Sequence, residues 1–321
     1  MSLSNKFCLL IKLIFRIITS RKERKKFLGY LKKDSDIKIT YKNDKFLVEY
    51  KNNVIHDLIP IFYWDSLLNF GDLIGPYLIS RITGKQVLNI HIMKYPGIMA
   101  VGSIIQLINR EGMVVWGSGL ISKPSSEQSI KLKNYNPKIL SVRGRETAKY
   151  LLKAGIDVPD NSVYGDPALI LPLFYKPLIK HSKKIGICPH YIHKPYFIKN
   201  IKQQESFDII DVQNSMESVV DSIVSSTVCI STSLHGLIVA QAYNIPWVWL
   251  EIIDNNLTGD DFKFKDFFST INESQVVHLR VNINEVVDID FEALAETAIL
   301  PDRLYSEELI LKSFQDYLDG K

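Results

Sequence analysis

The sequence, 321 residues long, is poor in cysteine and has no long unbroken apolar run, no internal repeat and no basic body. Each shortage removes a class of protein. Its three cysteines, Cys8, Cys188 and Cys229, are an odd number without metal-ligand spacing. That excludes a disulfide framework and a zinc module, and points to reduced thiols in a cytoplasmic compartment. Lys12 and Arg16 break the apolar stretch near the N-terminus, leaving it well short of the roughly 20 residues that cross a bilayer. A secretory signal fits poorly too, because the positive charge follows that stretch and no small-residue cleavage site is evident. With 46% hydrophobic and 23% charged residues, the chain is neither disordered nor collagen-like. It is long enough to bury a full core in two domains.

What charge there is lies unevenly. Residues 1–33 hold ten Lys or Arg against one Glu, a net of +9, so residues 34–321 carry −5 of the chain's total of +4. The body is therefore no nucleic-acid binder. Within the basic arm Phe7, Leu10, Ile11, Ile14 and Ile18 recur at helical spacing, with Lys12 and Arg16 on another face and RKERKK following at 21–26. Such a helix suits the anionic inner face of a cell membrane, as a peripheral contact, and equally suits plain packing on the main body.

Beyond the arm, short apolar β-branched runs alternate with helical patterns, the signature of parallel α/β layers. LIPIFYW (58–64), PGIMAVGS, MVVWGSG and the start of ILSVRGRETAKYLLKAG read as strands of one unit, with helices after NFGD and after VRG, the latter ended by Gly155. The polar stretch FYKPLIKHSKK at 173–183 reads as a linker. A second unit follows, with strands at KIGICPHY, FDIIDV, TVCIS and IPWVWLEI, helices at SMESVVDSIVSS and LHGLIVAQAYN, and a terminal helix over 301–318 opened by Pro301. The expected division is an arm and lead-in over 1–57, one Rossmann-like lobe over 58–175 and another over 176–321. A cleft between two doubly wound lobes is where an enzyme of this build would work.

In open α/β sheets ligands bind beyond the carboxyl ends of the strands. His235 follows the strand TVCIS, and Ser231, Thr232 and Ser233 before it can cap a helix or offer donors to an anion. Taken alone, a capping serine and a first-turn histidine explain that segment as well as catalysis does. Other strand ends carry NFGD (69–72), GSI (102–104), WGSG (116–119), SVRGRET (141–147) and YGDP (164–167). Each is weak by itself, since glycine turns and capping aspartates are ordinary in such folds.

In this order, however, NFGD with GPYL, WGSG, SVRGRET, GDPALILP and above all SLHGLIVAQAYNIPWVWL resemble the polysaccharide pyruvyl transferase family over residues 58–250. The resemblance implies a two-lobed, GT-B-like fold and transfer of pyruvate from phosphoenolpyruvate to a sugar of a surface polysaccharide or its lipid-linked precursor, as a cyclic ketal. It places the family's histidine at His235, whose ordinary pKa suits proton transfer near neutrality. The donor's phosphate and carboxylate call for fixed cations and helix N-termini. Strand-end placement offers Arg143, Arg145, Ser233, Leu234, Gly117 and Ser118 for the donor, and Asn69, Asp72, His190 and Trp116 for the acceptor or cleft. The implied chemistry needs no metal and no cofactor beyond phosphoenolpyruvate as donor substrate.

One departure stands out, because many family members carry arginine where this chain has Ser233. Arg143, Arg145 or Lys194 would have to compensate, or the donor differs. His193 reads as an exposed loop histidine. Trp247 and Trp249 read as core, and Trp64 and Trp116 as candidate plates for a sugar. A nucleotide-sugar glycosyltransferase of the same build, and a catalytically idle assembly partner, are the alternatives.

Overall fold

The computed structural model describes residues 37–42, 45–50, 53–177, 184–201, 205–255 and 257–320. The basic arm and the 178–183 part of the linker lie outside them. Two sheets organise the rest. The first contains β1 (Ile37–Lys42), β2 (Lys45–Tyr50), β3 (Asn53–Phe62), β4 (Gln86–Asn89), β5 (Ile98–Met99), β6 (Val114–Trp116) and β7 (Lys138–Ser141). Its order is β1-β2-β3-β5-β6-β7, with β4 also on β3. From β3 onward the pairing is parallel. β1 and β2 add an antiparallel edge, with Ile39 opposite Val48.

The second sheet is parallel throughout, in the order β12-β11-β10-β8-β9. Its strands are β8 (Ile185–Cys188), β9 (Phe207–Ile209), β10 (Cys229–Ser231), β11 (Trp247–Ile252) and β12 (His278–Val281). All of β8 and β10 is buried, as expected for strands covered on both faces.

The helices are α1 (Phe70–Thr83), α2 (Ser126–Tyr135), α3 (Arg145–Lys153), α4 (Lys194–Asn200), α5 (Met216–Ser225), α6 (Leu234–Ala242), α7 (Phe262–Phe268), α8 (Phe291–Glu296) and α9 (Glu307–Leu318). The architecture is α/β with two lobes, GT-B-like. No helix among the described residues is long and apolar enough to cross a membrane.

Local chemistry explains the boundaries. Asn69 caps α1 by accepting from the Gly71 N–H, and Gly84 at φ 64° ends it in the left-handed region. Gly155, at φ 75°, closes the turn after α3. Pro301 does not open the terminal helix, contrary to the sequence expectation. Ser306 caps it instead, accepting from the Leu309 N–H, while the Pro301 carbonyl accepts from Gln241.

The two lobes share one interior. The 3-10 segment Pro167–Leu173, buried from Pro167 to Leu171, packs against α1 and α6, so Ala168, Leu169, Ile170 and Leu171 join the first lobe's Phe70 and Ile74 to the second lobe's Leu237 and Ile238. Each such buried aliphatic side chain is worth about 1.5–3 kcal/mol. The Phe70 N–H also donates to the Val212 carbonyl at 2.9 Å. At the other end α9 returns to the first lobe, where Phe314 stacks on Trp116 at 4.5 Å and the Ile310 carbonyl accepts from the Trp116 indole N–H at 3.0 Å. The terminal helix thus covers the lobe opposite to the one that precedes it in sequence.

Candidate active site

The carboxyl ends of both sheets face one another across a cavity of about 300 Å³. The first lobe contributes Trp64, Asn69 and Asp72 after β3 and Gly102, Ser103 and Ile104 after β5. The second contributes His190 and Tyr191 after β8, Ser233, Leu234 and His235 after β10, and Thr258 and Lys263 after β11. A larger depression of about 570 Å³ lies beside it, lined largely by charged side chains such as Glu146, Asp260, Asp261 and Lys265. It contains no histidine, and the acid–base groups gather in the smaller cavity.

The loops are fixed by their own polar groups. Ser231 Oγ donates to the Cys188 carbonyl and accepts from the Ser233 N–H at 2.9 Å, which holds the turn into α6. Thr232 Oγ1 accepts from the His190 N–H at 2.8 Å and donates to His193 Nδ1 at 2.8 Å, while His193 Nε2 donates to the Asn255 carbonyl. His193 is therefore a buried brace between loops, not the exposed histidine that its loop position suggested. α6 itself begins at Ser233 without a side-chain cap, which leaves its positive dipole end turned toward the cavity.

His235 stands in the first turn of α6. Its Nε2 is fully buried 3.9 Å from Asp166 Oδ2, and the 10% of its side chain still exposed faces the cavity. Gly71 packs flat against its ring, so a Cβ at position 71 would run into Nδ1. The glycine of NFGD is thus required by the approach of the histidine.

Burial dominates the electrostatics. It lowers the His235 pKa to about 3, with Arg143 and Lys263 adding to the effect, and that of His190 to about 2. Both imidazoles are neutral near pH 7. Burial also raises Asp72 and Asp166 to about 7, against the opposing pull of Lys263 on the first and of the Ala168 N–H and Arg143 on the second. Lys263, only 8% exposed, is lowered to about 8, again mainly by burial. Among the described residues the cavity therefore holds one fixed cation, Lys263, neutral histidines and the Asp72 carboxyl, with the Asp166 carboxyl behind His235, both carboxyls titrating near neutrality, a grouping typical of catalytic sites. Among the described residues no cluster of three or more His, Cys, Asp or Glu is arranged to hold a metal ion.

The sequence model of the polysaccharide pyruvyl transferase family matches residues 9–255. The chain belongs to this family. An uncharacterized protein of Acanthamoeba polyphaga mimivirus is similar, 30% identical over 224 residues that cover 66% of this chain and 74% of that protein. No solved structure matches.

Against this family background, several residues singled out in the sequence fall elsewhere than expected. Arg143 is completely buried and does not reach the cavity. Its Nε donates to Asp266 Oδ2 at 2.9 Å, Nη2 to the Leu120 carbonyl at 2.7 Å and Nη1 to Ser103 Oγ. Asp266 also accepts from the Thr147 N–H and hydroxyl, so the VRGRET motif is an inter-lobe clamp. Arg145 is exposed at the start of α3 and is not among the cavity residues. Lys194 is engaged with Asp211 and Gln213, away from the donor side.

The WGSG loop is likewise structural. Gly117, at φ 73°, packs where a Cβ would meet Pro167, and Ser118 Oγ donates to the Gly102 carbonyl at 2.8 Å. Trp116, fully buried under α9, cannot be a sugar plate, whereas Trp64 is 36% exposed at the cavity and packs against His91. Asn69, Asp72, His190, Ser233, Leu234 and His235 are brought together. Lys263 was missed, because it lies past the matched motifs in FKFKDFF, where a lysine reads as an ordinary surface charge.

Proposed function

We propose that this family member transfers pyruvate from phosphoenolpyruvate to two hydroxyls of a sugar in a surface polysaccharide or its lipid-linked precursor, forming a cyclic ketal and releasing phosphate. The observation that carries the reading is the pairing of a buried cation, Lys263, with neutral His235 on one small cavity at the uncapped start of α6. Lys263 and the first-turn N–H groups suit the phosphate and carboxylate of the donor. They supply the charge that an arginine in place of Ser233 would otherwise bring.

The chemistry then follows from proton bookkeeping. A proton added to the methylene carbon makes the neighbouring carbon electrophilic, and His235 delivers it. The first sugar hydroxyl adds there and loses its proton. The second displaces phosphate, and Asp72, titrating near 7, takes that hydroxyl's proton. Trp64, beside Asn69 at the mouth, offers an aromatic face to the acceptor. The basic arm would hold the enzyme near lipid-linked glycan on an anionic membrane.

A calorimetric titration of phosphoenolpyruvate, run beside uridine diphosphate, tests the donor. Saturable phosphoenolpyruvate binding, weakened about 10- to 100-fold in Lys263→Met as expected for loss of a charge-assisted contact, supports it. Tight uridine diphosphate binding with none for phosphoenolpyruvate refutes it and favours a nucleotide-sugar glycosyltransferase.

A further inference from the structure

Behind the cavity, His235 Nε2 and Asp166 Oδ2 point at one another across 3.9 Å, both buried and both without a hydrogen-bond partner. A buried polar atom left unpaired costs roughly 1–3 kcal/mol. Two of them facing each other across a gap about 1 Å longer than a hydrogen bond form a contact poised to close. Neither residue is loosely held. Asp166 Oδ1 accepts from the Ala168 N–H at 2.9 Å, capping the segment Pro167–Leu173, and His235 is fixed within α6 with Phe70 edge-on to its ring.

The protonation chemistry has a difficulty that this contact resolves. With the imidazole neutral near pH 7, giving up its only N–H proton would leave an imidazolate, which no neutral-pH site sustains without a second proton source. Nε2 is fully buried, which leaves Nδ1, lying beside the Cβ-less Gly71, as the ring nitrogen that exchanges a proton with a ligand in the cavity. The groups facing the pair are Arg143 from the end of β7, Asp266 and Lys263 from α7, His190 from the loop after β8, and the Gly102 N–H, with Asp72 from α1 facing Lys263 in turn.

We infer that Asp166 and His235 work as a dyad, in which the Asp166 carboxyl passes its proton to Nε2 as Nδ1 gives its own proton to the donor. This rests on the reading of His235 as the group that protonates phosphoenolpyruvate. In that step the Nδ1–H bond breaks and a C–H bond forms at the methylene carbon, while Oδ2–H breaks and Nε2–H forms. The imidazole is neutral before and after, and the negative charge appears on Asp166, where the positive charge of Arg143 favours it. When the first sugar hydroxyl adds, Nδ1 takes its proton, Nε2 returns the other to Oδ2, and the dyad is reset. Burial holds Asp166 protonated up to about pH 7, which suits the resting state. Asp166 never touches substrate and acts through His235 as a positioning and relaying residue.

Asp166→Asn is the test, because its carbonyl oxygen can still cap Ala168 and its amide can still donate to Nε2, but it has no proton to relay. Nitrogen-15 spectra of histidine-labelled full-length protein should show His235 as the Nδ1–H tautomer in both wild type and variant, with unchanged phosphoenolpyruvate affinity. The variant's kcat should fall about 10²- to 10⁴-fold, the range for losing general acid–base transfer, with KM unchanged and the alkaline limb of the pH profile near 7 abolished, while the acid limb set by Asp72 remains. An Nε2–H tautomer in the wild type, or a variant kcat within threefold of wild type, overturns the dyad. If the wild type transfers no pyruvate at all, the donor assignment is what fails, and the tautomer and its loss on His235→Ala still decide whether the pair is coupled.

Discussion

Replacing Arg143 with alanine separates a structural arginine from a donor-binding one. The side chain is fully enclosed and spends its donors on Asp266, Leu120 and Ser103. Its removal leaves a buried carboxylate with only Thr147 to satisfy it and strips the Leu120 carbonyl of a partner. Breaking a buried pair from one side costs about 3–5 kcal/mol, and at about 2–4 °C per kcal/mol the melting temperature should drop by roughly 6–20 °C. Asp266→Ala should cause a loss of similar size. Exchanging both partners for apolar residues, Arg143→Met with Asp266→Leu, should recover part of it, because the desolvation penalty vanishes with the charges while the Thr147 N–H and the Leu120 carbonyl stay unpaired. Scanning calorimetry measures the stabilities, and titration of phosphoenolpyruvate below all the melting points measures affinity, expected within about threefold of wild type. A melting temperature within about 2 °C of wild type together with a tenfold weaker donor would refute the clamp and return Arg143 to the donor site.

Gly71→Ala should leave a folded protein, since overpacking of this kind costs about 1–3 kcal/mol, yet lose at least about tenfold in kcat by displacing His235; retention of wild-type kcat would show that the ring has room to move. Asp72→Asn should stabilise the enzyme in a pH-dependent way. The folded carboxyl keeps its proton up to about pH 7 whereas the unfolded one releases it near 3.8, so protonation favours the fold at low pH and that contribution is lost as pH rises through 7. The variant's melting temperature should match wild type near pH 4 and exceed it at pH 8, and a constant difference across that range would count against the raised pKa. Trp64→Ala should change stability by no more than about 0.5 kcal/mol while raising the acceptor KM. Trp116→Ala, which empties the stack under α9, should cost about 3–5 kcal/mol in denaturant unfolding; equal stability losses in the two variants would contradict their placement.

Much of the fold was legible because periodicity is a local property. The runs at 58–62, 114–116, 185–188, 229–231 and 247–252 are β-branched or aromatic and short, and each becomes a parallel strand. The β1–β2 hairpin was passed over although IKITYK alternates with period two and KFLVEY spaces Phe46, Val48 and Tyr50 two apart, because the charges of the preceding arm dominate that region. α7 and β12 were missed for a different reason. FKFKDFF has aromatic residues at several spacings at once, and HLRV is half polar. The two tryptophans near strand ends could not be told apart in the sequence, since only the return of α9 decides that Trp116 is covered and Trp64 is not.

Charge roles were the least legible part, and the reason is pairing. Asp72, Asp166 and Asp266 read alike as acidic residues near loops or helix starts, and Arg143 and Lys263 read alike as cations. In the folded protein Arg143 and Asp266 neutralise one another directly at 2.9 Å, which keeps both from contact with the donor. That leaves Asp166 enclosed and Asp72 half-buried at the cavity, with no cation bonded to either, so burial pushes both up to about 7. It also leaves Lys263, its ammonium 5.6 Å from the centre of the Phe264 ring, as a cation with no carboxylate at ion-pair distance among the described residues. Which charges remain for an anionic donor is thus settled by which ones the inter-lobe clamp consumes. A clamp joining residue 143 to residue 266 is formed only when the two lobes meet, so no local stretch of sequence carries that information.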